Sequence, residues 1–409
     1  MPTHRTDRFF ALLFLLAAAV ATFLIFELKP TRNSSRENAA SRSYPPADIA
    51  PRSPEAEAAT RALVLKPGFQ AQLFASEPDI ANPVAFAFDP DGGVYVCETF
   101  RQEEKGVPDN RDHEEWLLDD LAARSTSDRR RFYLRHHPEM QKTYTQYEDR
   151  IRFLQDTDGD GRADFQSVFA GGFRDLLDGT GAGVLAWRGR VYYTCIPRLW
   201  SLRDIDGDHV ADQREVLFDG FGIHVALRGH DLHGLRLGPD GRIYFSIGDR
   251  GLNVVTREGK RLLNTHSGAV LRCEPDGSGL ELVAAGLRNP QELAFDDVGD
   301  LFTVDNNSDA GDRARIVRIV PGGESGWRMD FQSQEDRGPW MREGWWKTRT
   351  KDQAAFLIPP IAYLGSGPSG LVHYPGTGFP SDCDDSFFVC NFLGGRRSSG
   401  ILRFRLEPA

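Results

Sequence analysis

Apolar and polar positions divide the chain into three stretches. Phe9 to Phe26, FFALLFLLAAAVATFLIF, runs 18 residues without a charge, close to the ~17–25 that a membrane-spanning helix needs. Arg5 and Arg8 precede it, and Ala19-Val20-Ala21 offers a small-x-small cleavage site that the apolar run continues past. Residues 1–26 are therefore expected to be a signal anchor or a cleaved signal peptide. Both place the rest of the chain on the periplasmic side of the cell envelope, anchored at its N-terminus or secreted. Residues 27–61 are polar, rich in Pro and Ala and poor in large apolar groups, which predicts a disordered linker. From residue 62 to 409 the pattern becomes strand, turn, strand.

That pattern repeats. VAFAFDPDGGVYVCE (84–98), GLRLGPDGRIYFSIG (234–248) and ELAFDDVGDLFTVDN (292–306) are each an apolar strand, an Asp/Gly turn and a second aromatic-rich strand. GVLAWRGRVYYTC (183–195) is a shorter copy, and GLVHYPGTGFPSDCDDSFFVC (370–390) a looser one. Units of this kind predict an all-β fold, a β-propeller whose sheets stack radially. Five blade centres fall near residues 92, 189, 241, 299 and 384. A charged insert, 101–150, with two helical patterns, is expected between blades one and two, as a solvated excursion or a lid.

Composition narrows the function classes. With 59 acidic and 49 basic residues the net charge is -10, which argues against nucleic acid as a partner. Five cysteines form no CxxC pair and no CxxCH motif, so no haem is expected in this chain. The acidity gathers in two loops. Asp156, Asp158, Asp160 and Asp164 stand at positions 1, 3, 5 and 9 of one, and Asp204, Asp206, Asp208 and Asp212 repeat the spacing. Alternate carboxylates on a tight loop converge on a point, which suits calcium; a solvated acidic turn is the bland alternative.

Aligning the repeats by their turns sets Gly238 against Asp296, 58 residues on, and with them His230 against Arg288 and Asp231 against Asn289. Equivalent positions on neighbouring blades face the same channel. His230 is thus a candidate base beside a fixed cation, or a histidine that only hydrogen-bonds within the funnel. His233, three residues on, is expected on the opposite strand face, packing or bonding between blades.

GHDLHGLRLGPDGRIYFSIGDRG and GLRNPQELAFDDVGDLFTVDNN resemble paired motifs of the soluble quinoprotein glucose and sorbosone dehydrogenases, six-bladed propellers that bind pyrroloquinoline quinone and calcium. The resemblance implies His230 as catalytic base and Arg288 and Asn289 as cofactor contacts. It also implies Asp312 as the carboxylate ligand of a cofactor calcium, with Asn307 and Ser308 as the preceding carbonyl ligands. IRFLQDTDGDGRADFQSVFAGGF, HEEWLLDDLAARS and GPSGLVHYPGTGFP resemble, over nearly all of 62–409, the membrane-bound dehydrogenase domain of planctomycetes and verrucomicrobia. In that family a cytochrome c domain often follows, so an electron acceptor in trans is implied, and the sixth blade is expected to be missing or incomplete here. The implied function is an exported, membrane-anchored oxidoreductase of a sugar or related alcohol. The alternatives are a non-catalytic propeller that binds glycans or proteins, and a truncated remnant of a longer dehydrogenase–cytochrome protein.

Overall fold

A computed structural model describes residues 49–103, 105–347, 357–376, 378–395 and 398–407. The apolar run at 9–26 lies outside them. Among the described residues no helix is long and apolar enough to cross a membrane. Helix α1 (Glu55–Arg61) shortens the expected linker. Its sequence, EAEAATR, consists mainly of strong helix formers, with Glu55 and Glu57 in the first turn and Arg61 in the last, as the helix dipole favours.

Five blade sheets follow, antiparallel except for one short added strand, together with one separate hairpin. The first comprises β1 (Pro83–Phe88), β2 (Val94–Glu98), β3 (Asp149–Gln155) and β4 (Phe165–Phe173); the second β5 (Gly181–Trp187), β6 (Arg190–Cys195), β7 (Arg198–Arg203) and β8 (Gln213–Asp219). The third has β9 (Leu232–Leu237) and β10 (Ile243–Ile247). A separate hairpin of β11 (Leu252–Val255) and β12 (Arg261–Asn264) comes next, and β13 (Gly268–Cys273) and β14 (Glu281–Leu287) complete the sheet. The fourth runs through β15 (Pro290–Phe295), β16 (Leu301–Asp305) and β17 (Arg315–Ile319). The chain then adds β18 (Gly323–Glu324) parallel to β14 before β19 (Ala362–Tyr363) closes that sheet. The fifth is β20 (Pro368–Tyr374), β21 (Ser386–Asn391) and β22 (Gly400–Phe404).

The expected hairpins are thus the first two strands of each blade. First strands pack in sequence, β1 on β5, β5 on β9, β9 on β15 and β15 on β20, and this gives the five-bladed propeller arrangement. The core lies between sheets. Tyr192, Leu199, Leu232, Phe245 and Leu271 fill the space between the second and third, and Phe302, Val304, Leu371 and Phe387 that between the fourth and fifth. Between the fifth and first sheets the segment 69–75 acts as a strap. Phe69 meets Phe379 edge-on at 5.0 Å. Gln72 donates to the Asp160 carbonyl (2.7 Å), and the Ala163 amide donates to that of Phe74 (2.9 Å). Beside it, Val84, Phe86 and Phe88 of β1 are exposed.

The insert differs from expectation in place and character. It leaves the sheet between β2 and β3, inside the first blade, because Val94 pairs with Leu154 and Glu98 with Arg150 across it. It is also no solvated excursion. Helices α2 (Leu117–Ala122), α3 (Thr126–His136) and α4 (Met140–Thr143) enclose a core of Trp116, Phe132, Tyr133, Met140 and Tyr144, joined by Leu176 and Val225 of the propeller. Fully buried Asp120 accepts the Val225 and Ala226 amides at 2.7 and 3.3 Å. Asp109 accepts the Arg228 amide at 3.0 Å. The insert therefore grips the loop that leads into His230.

Candidate active site

His230 and Arg288 each precede the first strand of their blade by two residues, as the repeat offset requires. His230 Nδ1 lies 2.7 Å from Asp249 Oδ1, and Trp327 Nε1 donates to Asp249 Oδ2 at 2.7 Å. All three residues are buried. An ionised carboxylate there fixes the proton on Nδ1 and leaves Nε2 as the lone-pair nitrogen. Burial pushes the Asp249 carboxyl upward. The interaction with His230, the charge of Arg288 and the Trp327 N–H outweigh it, so the group is held below its ordinary range. Asp249 also ties the two blades together, since its amide donates to the Arg288 carbonyl at 2.8 Å.

Arg288 lies over the Trp327 ring, its guanidinium carbon 5.5 Å from the centroid. Its Nε and Nη2 donate to Gln332 Oε1 (3.2 and 3.0 Å), and Nη2 also reaches Asp309 (3.1 Å). Asp305, itself paired with Arg315, accepts the backbone amides of Arg288 and Asn289 and holds that corner. Asn289 donates to the Gly229 carbonyl at 3.1 Å, which returns to the residue before His230. Arg288 Nη1 and Asn289 Oδ1 are buried without a hydrogen bond, as is Nε2 of His233, whose ring interacts with the Asn289 side chain. The open guanidinium N–H suits an anionic acceptor on a polar ligand, and the open amide oxygen suits a donor on it. Pyrroloquinoline quinone carries both carboxylates and a ring N–H, so its chemistry fits that pair.

His233 turns to the neighbouring blade, bonding the Gln291 carbonyl at 2.8 Å. Burial pulls its pKa down to about 4, so the ring is neutral. Asp231 is fully buried, with Arg250 Nε 3.6 Å away, and neither carboxylate oxygen makes a hydrogen bond.

The three positions implied for a cofactor calcium do not present free oxygens together. Asp312 accepts the Ser308 amide (2.8 and 3.0 Å), the Ser308 hydroxyl (2.8 Å) and the Trp340 indole N–H (3.0 Å). The Ser308 carbonyl accepts Arg337 Nε at 2.9 Å, so a guanidinium stands where a cation would be bound. Asn307 Oδ1 is buried without a partner. The Asp312 carboxylate and the Ser308 carbonyl are thus already engaged by protein donors.

The acidic loops are the turns joining β3 to β4 and β7 to β8, equivalent places on adjacent blades. Oxygens of Asp156, Asp158 and Asp160 converge within 4.8 Å, as do those of Asp204, Asp206 and Asp212. Asp164 instead binds the Thr157 amide and hydroxyl, and Asp208 the Val210 amide. Asp156 takes the amides of Gly159 and Gly161, and Asp204 those of Gly207 and His209. Each loop is thus shaped by its own backbone.

Sequence reasoning passed over Asp249 and Trp327. Asp249 was readable as the acidic residue after the second strand of the His230 hairpin; Trp327 lies 78 residues further on and carries no local signal.

Over 137 residues the chain is 31% identical to quinoprotein glucose dehydrogenase B of Acinetobacter calcoaceticus. That match covers 27% of this chain and spans 28% of that protein's length. Among solved structures it is similar to the PQQ-bound aldose sugar dehydrogenase of Streptomyces coelicolor, at 17% identity and a TM-score of 0.43, covering 80% of this chain and 81% of that one. It is also similar to the PQQ domain of a pyranose dehydrogenase from Coprinopsis cinerea, at 11% identity and a TM-score of 0.45, covering 76% and 71%. A family model described as a domain of unknown function, DUF7133, matches residues 55–394, and the chain belongs to that family.

Proposed function

We propose that this propeller is an oxidoreductase that oxidises a sugar or related alcohol at His230. The observation that carries the reading is the buried Trp327–Asp249–His230 chain beside the unpartnered Arg288 Nη1 and Asn289 Oδ1. Arg288 and Asn289 would hold pyrroloquinoline quinone, which supplies a two-electron acceptor when bound. His230 Nε2 takes the substrate hydroxyl proton. Asp249 stabilises the imidazolium that results, and Trp327 keeps the carboxylate aimed. The partial match to a glucose dehydrogenase supports a sugar as substrate. We place calcium in the two acidic loops, as a structural ion, and none at Asp312. The run at 9–26 supports an exported, anchored chain, and the electron acceptor we propose for it is a cytochrome c in trans.

The test is dye reduction by the full chain with calcium, pyrroloquinoline quinone and a panel of sugars. His230→Ala abolishes turnover, and Asp249→Asn lowers kcat by about 10²–10⁴-fold while quinone binding persists. No quinone binding at micromolar concentration sinks the reading. The outcome would then favour a non-catalytic platform for a protein partner, for which the exposed apolar strip of Val84, Phe86 and Phe88 speaks.

A further inference from the structure

The helical insert carries a second group of ligating side chains, separate from His230 and from the acidic loops. His113 opens the 3₁₀ turn before α2, Glu115 lies within that turn, and His137 follows α3. Glu115 Oε1 sits 3.0 Å from His113 Nδ1 and 2.7 Å from His137 Nε2. The three donor atoms all lie within 4.8 Å of one another, and among the described residues no other such cluster brings two imidazoles together. We propose that His113, Glu115 and His137 form a binding site for a divalent transition-metal ion of the zinc class.

Three features make the group a built site. The first is that the donors are held by rigid neighbours. The His113 ring stacks on fully buried Trp116 at 4.0 Å, and the His137 ring stands edge-on to the same indole at 5.7 Å. Trp116 in turn donates to Asn110 Oδ1 at 2.9 Å. The second feature is an outer carboxylate. His137 Nδ1 faces Glu139 Oε1 at 3.0 Å. With a ring N–H donated there, loss of the proton that Nε2 shares with Glu115 offers the Nε2 lone pair to the ion, the arrangement that orients metal-binding histidines. The third is the donor set itself. Two imidazoles and one carboxylate are borderline ligands that suit zinc better than calcium, and they leave one tetrahedral position for water. Around zinc, donors about 2.0–2.2 Å from the ion stand roughly 3.4 Å apart. The Glu115 side chain is about half exposed and free to draw back that far. The ion would clasp the start of the insert to the end of α3, and so fasten the segment whose Asp109 and Asp120 hold the loop before His230.

The test uses the full chain, stripped with chelator and then saturated with calcium so that the acidic loops are occupied. Cobalt is titrated first and followed by its visible absorption; zinc is then titrated by calorimetry. The expected result is one equivalent of cobalt with visible bands, displaced by zinc. His137→Ala and Glu115→Gln weaken binding at least about tenfold, and Glu139→Gln about 10–100-fold. The His137 ring is only partly buried, so that variant keeps the fold if His113→Ala does not. Absence of the bands, or unchanged zinc affinity in His137→Ala, overturns the proposal.

Discussion

Two buried histidines shape the pH dependence of stability in opposite senses. His233 is held at about 4 by burial, below the ~6.5 of an unfolded chain. Between those values the unfolded chain takes up a proton that the folded one refuses. Stability is therefore full above pH ~6.5 and falls toward pH 4, by about 3 kcal/mol at most. His224 is the reverse. Burial lowers its pKa, but Asp120 and the carbonyls facing both ring nitrogens raise it further, above the ordinary value. Its contribution is present below pH ~6.5 and is lost as pH rises through the folded value. Urea midpoints should fall between pH 6.5 and 4.5, and His233→Asn, which can still donate to Gln291, should flatten that slope. An unchanged slope would remove His233 as the cause. At this scale His230 and Arg288 could be paired from the sequence, because a rotational repeat turns a spacing into a shared position. The Arg337 guanidinium on the Ser308 carbonyl could not, since it depends on how a later 3₁₀ turn folds back.

The hairpins were legible because each couples alternating apolar positions to an Asp/Gly turn, as in Asp89–Gly93 and Gly238–Arg242, where a backbone bond closes the turn at 2.8 Å. The insert was misplaced because roughly fifty intervening residues hide a strand pair that only the ladder from Val94 to Leu154 reveals. The acidic loops were legible by spacing, and the structure adds that three carboxylates in each converge. Calcium in excess by 100-fold over its dissociation constant should stabilise the protein by about 2.7 kcal/mol per occupied loop. Thermal melts with and without chelator read this. Asp158→Asn and Asp206→Asn should each remove about half of the shift, and a chelator-insensitive melting temperature would leave the loops as solvated turns.

Across the whole molecule, the first and fifth sheets are joined through the strap at 69–75 rather than through packed first strands, and the edge contact of Phe69 with Phe379 is part of that join. Phe69→Ala should cost about 1 kcal/mol from the lost ring pair, more if the pocket stays empty. Its signature is regional: amide hydrogen exchange should quicken in the first and fifth sheets and stay unchanged in the third. Uniform quickening would show instead that the sheets open as one unit. A ring with one weak seam behaves as a linear stack, in which each sheet depends on its neighbours and fraying starts at the two ends. Strand β9 belongs to the middle sheet of the five. Melting from either end must cross two sheet-to-sheet boundaries before it reaches His230, so the seam can breathe while the proton-handling residues stay registered.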